Sequence, residues 1–347
     1  MLNIFNINKN IIGINRSNLN DVNLSNDITT NDEMLNSLRK AANIHRSVRK
    51  YAQSLLEPNI NILDFCNKLE NKTKELSDPN ELNNGIGFPT GVSINNCAAH
   101  YTPYLNDNII LKSDDVLKVD FGVHVNGRII DSAFTISFDP KYNDLLKAVQ
   151  DATNTGIKEA GIGVRLGELG EKIQETMESY EIELNGKNYA IKSVRNLGGH
   201  SIGQYKIHSG KLIPCVKTDD QTKMEENEIY AIETFGTTGS GIVFEKEPTS
   251  HYMIENMQFK NLKLKSSRKL LSFIKKKFGT LPFSNKWLDA ENSSYNYNFA
   301  LKNLCENNIV KKYPPLYDID KSYIAQYEHT ILLRENNKEI LSKGNDY

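Results

Sequence analysis

Apolar residues recur at helical spacing from Met34 through Leu38, Ala41, Ala42, Val48 and Ala52 to Leu55. With Asn31 or Asp32 as N-cap and Pro58 as the stop, this pattern predicts a helix from Asp32 onward. A second helix is expected over Ile60 to Leu76. The segment Asn83 to Asn108, rich in Gly, Pro and Asn, precedes two β-branched runs, Val116 to Val125 and Arg128 to Phe138. Asn126-Gly127 joins those runs, and an Asn-Gly pair in that place is a strong hairpin signal. Further on, Leu145, Val149, Ala152 and Ile157 predict a helix and Leu166 to Tyr180 another. Strands are expected near Ala190 to Val194, Glu228 to Phe235 and Tyr327 to Leu333.

Two helices followed by antiparallel strands, given twice, predict an α+β domain of two related halves with a site between them. A lysine-rich stretch from Tyr252 to Lys312 interrupts the second half. Leu270, Leu271, Ile274 and Phe278 form one helical face within it, and a further helix is expected near Phe299 to Cys305, so 252–312 reads as an inserted helical subdomain. Residues 1–33 are dominated by Asn, Asp, Ser and Thr, too polar to offset the entropy of ordering, and read as a mobile tail ahead of a catalytic domain over 34–347.

Composition narrows the classes. The 347 residues are 39% hydrophobic and 24% charged with a formal net charge of −1, enough for a substantial core and against a general polyanion binder. Cys66, Cys97, Cys215 and Cys305 lie far apart with no CxxC pair, which fits a reducing compartment and argues against a thiolate zinc site. Neither a signal peptide nor an apolar run of membrane-spanning length is visible, so a cytoplasmic location is expected.

Acids inside strands that otherwise read as buried carry the most chemistry. Asp120 lies in Val-Leu-Lys-Val-Asp-Phe-Gly, Asp131 in Arg-Ile-Ile-Asp-Ser-Ala-Phe, Glu233 in Ile-Tyr-Ala-Ile-Glu-Thr-Phe and Glu328 in Ala-Gln-Tyr-Glu-His-Thr-Ile. A buried carboxylate needs a cation, a metal or a proton. A two-residue turn at Asn126-Gly127 sets residue 120 opposite 133 and makes Asp131 the diagonal neighbour of Asp120, roughly 7–8 Å away, a gap that a pair of divalent ions fits. With His200 the set becomes four carboxylates and one imidazole, whose four negative charges balance two divalent cations. Its oxygen-rich donors favour Mn, Fe(II) or Co, with Zn admissible. Any one of these acids alone would read as a structural salt bridge or a surface position, but five such residues in five motifs would not.

Five motifs resemble type 2 methionine aminopeptidase. They are Gly85-Ile86-Gly87-Phe88-Pro89-Thr90-Gly91, the run Asn95 to Pro103 around Cys97-Ala98-Ala99-His100, Lys118-Val119-Asp120-Phe121-Gly122, the run Gly199 to Tyr205, and Ala325 to Thr330. The resemblance covers residue 34 to Tyr347, the helical insert included. It implies the pita-bread (creatinase/aminopeptidase) fold with a metal pair in the central cleft and release of the initiator methionine from nascent chains. It also implies Asp120, Asp131, His200, Glu233 and Glu328 as metal ligands and His100 and His208 as histidines that contact substrate. The methionine pocket would be lined by Phe88, Ile207, Phe235, His251 and Tyr313, and His100 would be the nucleophile for fumagillin-class epoxides. Pro282 stands where the family commonly has alanine near this pocket, and Tyr317 replaces a cysteine that pairs with the equivalent of Cys97 in some relatives, so no disulfide is expected there.

Those roles give a hydrolysis in which water attacks the first peptide carbonyl, Glu233 accepts and returns the proton, and His100 and His208 steady the oxyanion. His45 and His124 read as structural, and His329 points to the strand face opposite its neighbour Glu328. The rival readings are a non-catalytic relative that binds RNA or ribosomes and an X-Pro peptidase on the same fold. Retention of all five ligands counts against the first, and the insert with the Asn-Asn-Cys-Ala-Ala-His motif against the second. The chain is expected to be monomeric. From Gln258 to Phe283 there are eight basic residues and no acid, which suggests contact with ribosomal RNA or, more simply, a solvated face.

Overall fold

The structure is a computed structural model in which residues 24–77, 82–255, 262–291 and 297–347 are described. The expected tail over 1–33 lies largely outside these residues. Helix α1 spans Leu24–Leu55, eight residues earlier than the Asp32 start. Leu24 and Ile28 share the i, i+4 spacing of the residues after them, a signal hidden by the polar residues between. From Ser37 onward α1 belongs to one compact unit that runs to Tyr347, and α2 covers Ile62–Ser77.

Strand β1 (Asn84–Ile94) occupies the segment that the sequence marked only as Gly/Pro/Asn-rich. Its register against the next long strand slips between Ile86 and Phe88 and again between Phe88 and Gly91. Pro89 and the glycines sit at these irregularities, where a missing ladder donor is tolerated. After the short β2 (Cys97–Ala99) come β3 (Val116–Val125) and β4 (Arg128–Ser137), and β1, β3 and β4 form one three-stranded sheet. The turn has φ of 51° at Asn126 and 73° at Gly127, as a two-residue hairpin of this twist requires. A Cβ at Gly127 would also come within 2.2 Å of the Tyr205 ring.

The second half holds a larger sheet built around Ile229–Thr237, which pairs with Gly198–Ile202 on one side and Ile324–Arg334 on the other. The strand expected near Ala190 to Val194 is reduced to Lys192–Ser193 pairing with Thr237 and Gly236. Helices α3 (Asn143–Glu159) and α4 (Leu166–Met177) bury Leu145, Val149, Ala152, Ile173 and Met177. The insert contains α5 (Lys265–Lys277), α6 (Asn285–Glu291) and α7 (Asn298–Glu306) around a core that includes Leu270, Leu271, Ile274, Phe278 and Leu304. It is closed at its base by antiparallel pairing of His251–Ile254 with Val310–Tyr313.

The two sheets approach along β4 and the Ile324–Arg334 strand, and side-chain hydroxyls take the place of a ladder there. Thr330 Oγ1 accepts from the Asp131 amide at 2.8 Å and donates to the Asp131 carbonyl at 2.6 Å. Thr135 Oγ1 does the same to Gln326, at 2.8 and 2.6 Å. Ser132 Oγ donates to the Glu328 carbonyl at 2.6 Å. These bonds satisfy the facing backbone groups while keeping the two halves one side chain apart.

Candidate metal centre

Each half offers two carboxylates from one strand pair. In the first, Asp120 faces Ala133 and Asp131 faces Gly122, so the two acids are diagonal neighbours on one face. In the second, Glu233 stands directly opposite Glu328. His200 lies opposite Ala231, two residues from Glu233 and on the same face. Gly199 makes this pairing close, since a Cβ there would come within 2.2 Å of the Ala231 carbonyl oxygen.

The candidate ligand atoms fall into two groups, each within 4.8 Å: Asp131, His200 and Glu328, and Asp120, Glu233 and Glu328. Glu328 belongs to both. His200 Nε2 is 3.5 Å from Asp131 Oδ2. Asp120 Oδ1, Asp131 Oδ1 and both oxygens of Glu328 are buried without a hydrogen-bond partner. Burial first, and then the charge of Asp131, pushes the Asp120 carboxyl well above its ordinary range. Burial followed by the neighbouring carboxylates does the same to Glu233 and Glu328. Orphaned oxygens and mutual repulsion in a common focus, with hard oxygen donors and a single imidazole, fit a divalent cation.

A cavity of about 70 Å³ has Asp120, Asp131 and Glu233 in its lining together with Phe88, Ile207, Phe235, His251, Tyr313 and Pro282, and also His100, His200 and His208. Its volume is several times the roughly 10–15 Å³ that one water requires, and it joins the acids to the apolar walls in one space. The His208 ring stands edge-on to His200 at 4.3 Å, and Tyr313 meets His100 at 5.7 Å and His251 at 6.0 Å. Loss of water around the rings pushes His100 down to about 4 and His251 to about 3, and holds His208 well below its usual value. Neutral rings can donate or accept a single hydrogen bond without adding charge beside a metal site.

The other histidines lie elsewhere. His45 is stacked on Phe121 with Nε2 2.9 Å from its carbonyl oxygen, and His124 is fully buried near Tyr205. His329 points away from the acids to Ser342 Oγ at 2.8 Å. Cys97 pairs in register with Tyr317 and carries a free thiol.

One residue of the centre escaped the sequence reading. Gln326 Nε2 donates to Glu233 Oε1 at 2.6 Å and to Asp120 Oδ2 at 3.1 Å, bridging an acid from each half. Its place two residues before Glu328, and so on the same strand face, was the available signal.

A profile of metallopeptidase family M24 matches residues 36–259. The chain is 54% identical to methionine aminopeptidase 2 of Schizosaccharomyces pombe over 91% of its own length and 74% of that protein. It is 53% identical to methionine aminopeptidase 2A of Arabidopsis thaliana over 90% of its length and 71% of that protein. The chain belongs to metallopeptidase family M24, in the methionine aminopeptidase 2 group.

Its pita-bread fold is shared by solved structures of much lower identity. A thermophilic Arx1 superposes with a TM-score of 0.79 at 18% identity, covering 91% of this chain and 92% of that one. The methionine aminopeptidase of Thermotoga maritima gives 0.61 at 21%, covering 90% and 97%. At these identities the likeness concerns the fold alone. For an M24 member, the site chemistry rests on this chain's own acids and histidines.

Proposed function

We propose that this M24 peptidase removes an N-terminal methionine by hydrolysing the first peptide bond, with two divalent ions held by Asp120, Asp131, His200, Glu233 and Glu328. The observation that carries this reading is Glu328, a buried carboxylate common to two ligand groups, at the side of a small cavity walled by Phe88, Ile207, Phe235, His251 and Tyr313. Such walls suit an unbranched thioether. When bound, the ions lower the pKa of water and polarise the scissile carbonyl.

The remaining steps belong to side chains. Glu233, oriented by the Gln326 amide, takes the proton of the attacking water and returns it to the leaving nitrogen. His208 and His100, neutral and facing the cavity, donate to the carbonyl oxygen as its charge develops. The apolar walls hold the methionine side chain, and a bound ion would take its free amino group, which restricts hydrolysis to the first bond. Mn, Fe(II) or Co is the proposed metal, the cytoplasm the proposed location and the monomer the proposed state. His100 is the proposed site of alkylation by fumagillin-class epoxides.

The direct test compares a Met-Ala-Ser peptide with an Ala-Pro peptide, using protein stripped with chelator and then reloaded with Mn or Co. Methionine should be released from the first peptide only, and only after reloading. Cleavage of the Ala-Pro peptide alone would make the chain an X-Pro peptidase, and inertness toward both would favour a non-catalytic relative. For the insert we propose contact with a polyanion such as ribosomal RNA, supported by the exposed Lys263, Lys265 and Lys276. Lys277, by contrast, is engaged with Glu291 at 3.1 Å. Ribosome co-sedimentation of a variant with Glu at those three positions, equal to wild type at low salt, would return the face to simple solvation.

A further inference from the structure

We propose that Tyr347, held by Arg49 and Asp346, is a positioning residue that sets the spacing of the metal ligands from behind the seam between the two halves. The proposal rests on the metal-site reading above and extends it to residues that touch no ligand oxygen. The Tyr347 hydroxyl meets the backbone carbonyl of Glu328 at 2.7 Å and also that of Ala133. Glu328 is the acid shared by both ligand groups, and Ala133 is the register partner of Asp120 and two residues from Asp131. One hydroxyl therefore touches both central strands at the level of the acids. It does so where no backbone ladder joins them and Ser132 Oγ is the nearest other bridge, 3.4 Å away.

The ring is fixed as well. It stacks on His329 at 4.4 Å and meets Tyr327 edge-on at 5.3 Å, on the strand face that points away from the metals. The Arg49 guanidinium lies 4.8 Å over it. Arg49 has no solvent exposure, and its fork grips Asp346 through Nε at 2.6 Å and Nη2 at 2.8 Å while Nη1 donates to the Ser342 carbonyl at 2.8 Å. Helix α1 thus anchors the residue that ties the two ligand strands together. Outer groups that orient metal ligands commonly alter metal affinity by about 10–100-fold.

The experiment is calorimetric titration of Mn into chelator-stripped Tyr347→Phe, which keeps the ring stack and loses only the hydroxyl. Affinity should fall by about 10–100-fold, and turnover of a Met-peptide should recover when Mn is raised in proportion. Tyr297→Phe is the matched control, since it removes a buried hydroxyl that donates to Asp289 at 2.7 Å in the insert. It should lose comparable stability and keep wild-type Mn affinity. Should Tyr347→Phe not yield folded protein, Arg49→Lys, which keeps the charge but not the fork, carries the same expectation. Unchanged affinity in the seam variant beside normal wild-type binding overturns the clamp and leaves the metal site standing. An equal loss in Tyr297→Phe overturns it too, because the effect is then general destabilisation. Wild-type protein that takes up no Mn overturns the metal reading and the clamp with it.

Discussion

Two places in this molecule bury acids, and they treat them in opposite ways. Glu70 of α2 is 4% exposed and Lys286 of α6 is 3% exposed, with their charges 2.9 Å apart. Trp287 Nε1 donates to the other Glu70 oxygen at 2.8 Å, and Asn67 accepts from the ammonium at 3.1 Å. Here the protein supplies its own counter-charge and donors, and the pair ties the insert to α2. At the cleft, Glu328 is 1% exposed and neither oxygen receives a hydrogen bond. Gln326 is the one side-chain amide shared among its neighbours Asp120 and Glu233. The chain neutralises a buried acid internally at Glu70 and leaves the cleft acids without such a partner, which fits the proposal that cations from outside balance them. The contrast separates a structural acid from a candidate ligand more sharply than burial or charge alone.

The largest effect that could break this comparison is at Asp131. Asp131→Asn removes one charge from the set proposed to hold the ions, so metal content should fall and turnover of a Met-peptide should drop about 10³-fold or more, the several kcal/mol a metal contributes as Lewis acid. In metal-free protein the sign reverses. The repulsion that raises Asp120, Glu233 and Glu328 is partly relieved, and the variant should be more stable than wild type by about 1 kcal/mol in urea unfolding. Elemental analysis and denaturation with and without chelator check both halves. Full metal content with near-normal turnover would end the ligand assignment.

Glu70→Ala is the matching change on the structural side. It strands the Lys286 ammonium in a buried site and should cost about 3–5 kcal/mol. Because Glu70 belongs to no ligand group, the loss should be the same with and without metal, and kcat of the folded fraction should not change. Replacing Glu70 and Lys286 together with methionine should restore most of the stability. Metal-dependent destabilisation of Glu70→Ala would erase the distinction between the two kinds of acid.

The acids of the candidate centre were legible in the sequence because an acid inside a strand that otherwise reads as buried is anomalous, and Asp120, Asp131, Glu233 and Glu328 each stand in such a strand. The hairpin was legible too, because Asn126-Gly127 fixes the register of β3 and β4 locally. The groups that hold these acids in place were not. Thr135, Thr330 and Ser132 are ordinary strand residues, and their bonds reach partners 191 to 199 residues away, beyond any periodicity. Strand β1 was hidden because its bulges carry Gly and Pro, which read as loop. Glu70 and Lys286 sit on helical patterns where a charge looks like a solvated face, and only the packing of α6 on α2 shows otherwise.

Asp346 lies between the two kinds of acid and gives the smallest and most pH-specific test. About a quarter of its side chain remains exposed, and Arg49 Nε reaches it at 2.6 Å. Partial burial opposes ionisation, but the Arg49 hydrogen bonds and charge outweigh it and bring the carboxyl down to about 2. A carboxyl whose pKa is lower folded than unfolded stabilises the protein fully above its unfolded value near 4. That contribution is lost as the pH falls through about 2. Discounted for solvent screening, it amounts to about 1–2 kcal/mol. Asp346→Asn should therefore be less stable than wild type at pH 6 by that amount, and the gap should close progressively between about pH 4 and pH 2. Unfolding should be followed in metal-free protein, so that acid release of metal does not add its own slope. A gap that stayed constant down to pH 2 would mean that Asp346 acts through packing and not as the counter-charge of Arg49, and the Arg49–Asp346 pair would then fall outside the class to which Glu70 and Lys286 belong.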